Sequence, residues 1–73
     1  MKELSEFVKE GRKAVDLTQV EFADRAGVAL TVIRKIEQNK TNLNLGKVNQ
    51  VLEMFGHKLA PISLKEFDAN ETS

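Results

Sequence analysis

Residue types that carry catalysis are sparse in this 73-residue chain. His57 is its only histidine, cysteine is absent, and no Asp, Glu or His set stands at metal-ligand or acid–base spacing. Glu6, Glu10 and Asp24 read as exposed faces, and His57, directly after Gly56, as a helix-end residue. The expectation is no enzyme, no metal and no cofactor. What the chain does hold is a local excess of cations. Between Ala29 and Lys47, Arg34, Lys35, Lys40 and Lys47 oppose only Glu37. The whole chain balances 11 basic against 11 acidic residues, but residues 1–65 contain every basic one and only 8 of the acidic ones. Clustered cations can neutralise phosphate. A merely solvated face accounts for the same count, so the elements that carry these charges decide between the two.

Those elements centre on Leu17 to Asn39, which reads as two short amphipathic helices, Gln19–Ala26 and Leu30–Gln38, around a turn at Gly27. Thr18 is an N-cap with Glu21 three residues on, a capping box; Leu17 and Phe22 have the spacing of a hydrophobic staple, which Val28 and Ile33 repeat. Phe22, Ala23 and Ala26 line one face of the first helix, and Ile33 and Ile36 one face of the second. Gly27 stands where the first helix must end left-handed. Two short helices joined by a glycine-containing turn are the signature of a helix-turn-helix. Upstream, Leu4, Phe7, Val8, Gly11, Ala14 and Val15 recur at helical steps, so Leu4–Val15 is expected to be a helix ending at Asp16, with Arg12 and Lys13 off its stripe and within reach of phosphate. Gly11 weakens that helix by up to about 1 kcal/mol relative to alanine, which suggests close approach by another element. Downstream, Asn39 is a left-handed helix end, Asn44 an N-cap, and Val48, Val51, Leu52 and Phe55 the stripe of a fourth helix closed by Gly56.

After Gly56 the period changes. Ala60, Ile62 and Leu64 alternate, and Pro61 excludes a helix interior, so a strand is expected. A lone strand has no partner for its backbone groups, and proline is tolerated on an edge, so Leu59, Ala60, Pro61, Ile62 and Leu64 are expected to pair with the same strand of a second copy. A packed, unpaired extended tail is the competing reading. The fold class is therefore all-α, a compact four-helix domain over residues 1–65 with one C-terminal strand pairing across a dimer; residues 66–73 read as a polar, acidic, mobile tail. A domain this small buries only about 60% of its unfolded surface, so tidy helix packing and oligomerisation must supply its stability. No apolar run approaches the roughly 20 residues of a membrane span and Met1-Lys2-Glu3 opens no signal peptide, so the expected location is the cytoplasm.

The residues Leu17-Thr18-Gln19, Phe22-Ala23, Ala26-Gly27-Val28, Ile33, Ile36-Glu37 and Lys40 resemble the phage Cro/repressor-type helix-turn-helix family, in register over more than twenty positions. The likeness extends to Gly11-Arg12-Lys13 and to Leu43 through Leu64. It implies binding to double-stranded DNA, with the second helix of the motif in the major groove. Carried over position by position, it turns Leu30, Thr31 and Lys35 toward the bases and places Val32 and Arg34 at the sugar-phosphate wall. Lys35 has the chemistry to donate to guanine O6 and N7, Thr31 to hydrogen-bond a base or touch a thymine methyl, and Leu30 to make apolar contact. Gln19 matches a backbone-contacting glutamine, and Asn39, Lys40 and Thr41 are further phosphate candidates. Plain roles compete: Gln19 as a helix starter, Lys40 as a solvated charge, Leu30 packed on a protein, Arg34 paired with Glu37 or Gln38. Glu37 itself reads as structural.

The run from Leu43-Asn44-Leu45 through Phe55-Gly56-His57-Lys58-Leu59 and Pro61 is similar to the end of small HipB-like antitoxins. That resemblance implies a homodimer that represses its own operon from a palindromic operator and binds a HipA-type serine/threonine kinase toxin. The alternatives are a stand-alone phage-type repressor without a toxin and, from a different class, a protein-interaction module.

Overall fold

A computed structural model describes residues 3–65. Four helices follow in order: α1 (Leu4–Ala14), α2 (Gln19–Ala26), α3 (Leu30–Glu37) and α4 (Leu45–Leu52), the last continued by a 3-10 turn, Glu53–Phe55. α3 is the central element, packed against α1, α2 and α4, and α2 also touches α4. Val8, Phe22, Ile33, Ile36, Val48 and Val51 are fully buried between them. Leu17, Val28 and Leu43 each precede a helix cap and pack half-buried on this core, as the staple spacing requires.

Local chemistry sets the helix boundaries. The Thr18 hydroxyl accepts from the Glu21 backbone N–H at 3.1 Å while the Thr18 N–H donates to Glu21 Oε1 at 2.9 Å, a complete capping box. The Thr18 backbone N–H above all, and then the Thr18 side chain, hold the Glu21 carboxyl below the usual carboxylate range. Asn44 Oδ1 caps α4 by accepting from the Lys47 N–H. At the other ends one device recurs. A left-handed residue stands after each helix, and the two N–H groups there return to carbonyls of the last turn. After α1, Asp16 N–H donates to Lys13 O and Leu17 N–H to Arg12 O; after α2, Gly27 to Asp24 and Val28 to Ala23; after α3, Asn39 to Ile36 and Lys40 to Lys35; after the 3-10 turn, Gly56 to Glu53 and His57 to Leu52.

Two of the four left-handed sites lack glycine, Asp16 (φ 58°) and Asn39 (φ 60°). A side chain is strained in that region, less for Asp and Asn than for others. Asp16→Gly is therefore expected to stabilise the domain by several tenths of a kcal/mol, up to about 1, since relief of strain is partly offset by unfolded-chain entropy. A urea midpoint that rises at unchanged slope would bear this out; a fall would place Asp16 in a role the backbone does not explain.

Three expectations need correction. α1 stops at Ala14 rather than Val15, and Ala14 and Val15 lie exposed, not on the buried stripe, because the chain already turns away at Asp16. α3 ends at Glu37, one residue early, and the fourth helix tightens to 3-10 geometry for its last turn. Residues 57–63 form neither helix nor strand, and no strand occurs among the described residues. Strand geometry is held by a neighbouring strand, and the described residues supply none. The tail 66–73 lies outside the described residues.

Candidate nucleic-acid interface

The helical period sorts α3 into two faces. Ile33, Ile36 and Glu37 are buried, Leu30 and Val32 are half-buried against the core, and Thr31, Arg34 and Lys35 are exposed. Of the three residues expected at base edges, Thr31 and Lys35 thus share an exposed face one turn apart, whereas Leu30 commits part of its side chain to the core. Gln38, a further turn along, extends the same face. Asn39, Lys40 and Thr41 are all exposed on the loop that follows.

The fate of Glu37 decides the charge of this surface. Its carboxylate is turned into the domain, where its side chain is 2% exposed. Arg12 Nε donates to Oε2 at 2.8 Å and Nη2 to Oε1 at 3.0 Å, a two-pronged ion pair between α1 and α3. The third arm of the same guanidinium, Nη1, donates to Leu17 O at 2.8 Å. Gln19 Nε2 adds a bond to Glu37 Oε1 at 3.2 Å. Burial pushes the Glu37 carboxyl up, but hydrogen bonds from Arg12 and Gln19 and the charge on Arg12 outweigh it and hold the group below its ordinary range. The expectation that Arg12 reaches phosphate is not met in this structure: three of its five N–H groups are held by Glu37 and Leu17, and only 12% of its side chain is exposed. The competing pairing of Arg34 with Glu37 is not seen among the described residues, where Arg12 and Gln19 hold the carboxylate. With the only carboxylate between residues 29 and 47 buried and paired, Arg34, Lys35, Lys40 and Lys47 leave that segment's surface uniformly basic.

The structure also brings together residues that sequence reasoning left off the list. A cleft of about 160 Å³ separates α3 from the start of α4, with Thr31, Val32 and Lys35 on one wall and Asn42, Asn44 and Lys47 on the other. Lys47 was visible in the charge count, but only the fold sets it opposite Lys35. Gln50 is the second such residue. From α4 its Nε2 donates to Ala26 O and Gly27 O, both at 3.0 Å, and so ties the turn between α2 and α3 to the rest of the domain.

A helix-turn-helix family model matches residues 8–60. No curated protein and no solved structure gave a match. Among the described residues, no helix is long and apolar enough to cross a membrane.

Proposed function

The chain belongs to the Cro/repressor-type helix-turn-helix family and is a DNA-binding transcription regulator; on that basis we propose that it acts as a homodimeric repressor on a palindromic operator. The observation that carries this reading is the exposed basic face of α3, freed of its one acidic neighbour by the inward turn of Glu37. α3 enters the major groove, with Thr31 and Lys35 reading base edges and the exposed part of Leu30 against a thymine methyl. Val32 and Arg34 flank the sugar-phosphate wall, and Gln19, Asn39, Lys40 and Thr41 contact phosphates, fixing register without reading sequence.

Residues Leu59, Ala60, Pro61, Ile62 and Leu64 form the dimer contact. In the single chain they are exposed, and with Leu4 and Phe7 several of them border an apolar cleft of about 480 Å³. Exposed apolar side chains on residues 59–62, which have no regular structure, and on Leu64, which opens a helical turn, suit association with a second copy. The finer role, autoregulating antitoxin of a HipA-type kinase, rests on the likeness of residues 43–61 to HipB-like proteins. A kinase-like reading frame found beside this gene would favour it over a stand-alone phage-type repressor, and the lack of one the reverse.

Lys35→Ala is expected to relax preference at one operator position, at a cost of about 1–3 kcal/mol there, read by binding to a set of single-base operator variants. Equal loss on every sequence would reassign Lys35 to phosphate. The test of the reading as a whole is protection of the gene's own promoter by purified protein. Two symmetric protected half-sites about 34 Å apart are expected; a single unsymmetric footprint would remove the dimer, and no footprint the repressor.

A further inference from the structure

Gln50 stands on α4, apart from every residue assigned to DNA, yet it grips the turn from which α3 springs. We propose that it is a positioning residue for base readout. By holding the carbonyls of Ala26 and Gly27 it fixes the angle at which α3 leaves the turn, and with it the place where Thr31 meets a base edge. The inference rests on the DNA-binding reading above and goes beyond it, because that reading gives Gln50 no part. It does not depend on the dimer.

A glutamine amide can turn either a donor or an acceptor end to a neighbour. Ala26 O and Gly27 O only accept, and each lies 3.0 Å from Gln50 Nε2. Two hydrogens on one nitrogen match two carbonyls, so the amide has one productive orientation. Among the described residues, no turn or cap backbone N–H donates to either carbonyl, so Gln50 satisfies groups that the end of α2 leaves open. A Cβ at residue 27 would stand 3.0 Å from the same nitrogen, which shows how closely the amide rests on the turn. α3 has little else to set its start. Thr18 and Asn44 cap α2 and α4 with their side chains, whereas Ala29, at the same place before α3, makes no such bond. The Val28 N–H on Ala23 O fastens the turn to α2, and the two Gln50 bonds fasten it to α4. Base readout in a helix-turn-helix uses the first turns of the second helix, and Thr31 is the second residue of α3. A hydrogen bond to a base edge fails with a small tilt, because it is short and directional. Attraction of Arg34 and Lys40 to phosphate falls off slowly with distance and survives the same tilt.

Affinity for two duplexes tests the assignment, one carrying the gene's own promoter and one of equal length and unrelated sequence. The variant is Gln50→Met, which keeps side-chain length and helix propensity and removes the donors. Circular dichroism fixes the folded concentration of each sample. Gln50→Met is expected to lose roughly three- to tenfold on the promoter and nothing on the unrelated duplex. Equal loss on both, or loss on neither, would overturn the proposal, because a Gln50 that merely stabilises the fold leaves the ratio unchanged. In a Thr31→Ala background the promoter loss should shrink, since the contact that Gln50 places is already gone; an undiminished loss would also overturn it. A second measurement needs no variant. Side-chain amide relaxation in the unaltered protein should find Gln50 restrained compared with exposed Gln38. Equal mobility of the two would sink this inference while leaving DNA binding intact, whereas an unaltered protein that binds neither duplex would take the reading beneath it as well.

Discussion

Replacing Glu37 by alanine is expected to cost the domain roughly 3–5 kcal/mol, the usual penalty for stripping the partner from a buried charge. Arg12, with only 12% of its side chain exposed, would keep one bond to Leu17 O and lose two to the carboxylate. A domain of this size has only about 3–5 kcal/mol to spend, so much of the variant should be unfolded at 25 °C. Urea titration measures the loss. The pair Arg12→Met with Glu37→Leu should recover most of it, because an apolar pair of similar bulk removes the orphaned charge. If Glu37→Ala unfolded at the same urea concentration as the parent, the ion pair would be no part of the fold's stability. The acid limb carries the same information. The folded Glu37 carboxyl lies below its unfolded value, so its contribution is full above the ordinary glutamate range and is lost as pH falls through the lowered folded value. Deleting Glu37 should therefore flatten part of the stability loss between neutral and acidic pH.

Gly11→Val is the second large effect, expected to cost about 3 kcal/mol. A Cβ at residue 11 would stand 2.6 Å from both Cε1 and Cζ of Phe55. That ring has little room to yield. It stacks on Phe22 with centroids 5.5 Å apart and meets the edge of Phe7 at 5.4 Å. Movement of Phe55 would disturb the 3-10 turn that ends the fourth helix and both aromatic neighbours at once. Better helix propensity returns at most about 1 kcal/mol, even for alanine, so overpacking decides the sign. Gly11→Ala should move in the same direction by less. A variant as stable as the parent would mean that Phe55 has another place to go.

These two residues mark where the chain was legible and where it was not. The spacing of caps and staples foretold α2 to its first and last residue, and Thr18, Gly27, Asn39, Asn44 and Gly56 all act as their types suggest. Such signals are local, a few residues wide, and each has one dominant physical reading. Gly11 announced a close approach but not by what, because Phe55 lies 44 residues on. The Arg12–Glu37 pair spans 25 residues, and although Glu37 read as structural, nothing in its type or spacing named Arg12 as its partner. For that reason Arg12 was placed within reach of phosphate, and Arg34 beside Glu37 stood as a competing reading. The end of α1 misled for another reason: Ala14 and Val15 continue the apolar spacing, yet nothing packs on that side after the turn at Asp16. Residues 57–64 depend on a second chain in the proposed assembly, and alternation alone does not make a strand in one copy. On α3, the period separated Thr31 and Lys35 from Ile33 and Ile36, while the partial commitment of Leu30 to the core emerged only from packing.

The central claim is that the exposed face of α3, with its flanking loop, meets a DNA duplex. Its most direct measurement is equilibrium affinity for the promoter of this gene at a series of salt concentrations, for the unaltered protein and for Arg34→Ala with Lys40→Ala. A dimer with several phosphate contacts on each subunit should lose about 10³-fold or more between 50 and 200 mM salt, and the double variant should follow a shallower line. Affinity that barely responds to salt, or a slope indifferent to Arg34 and Lys40, would contradict the account.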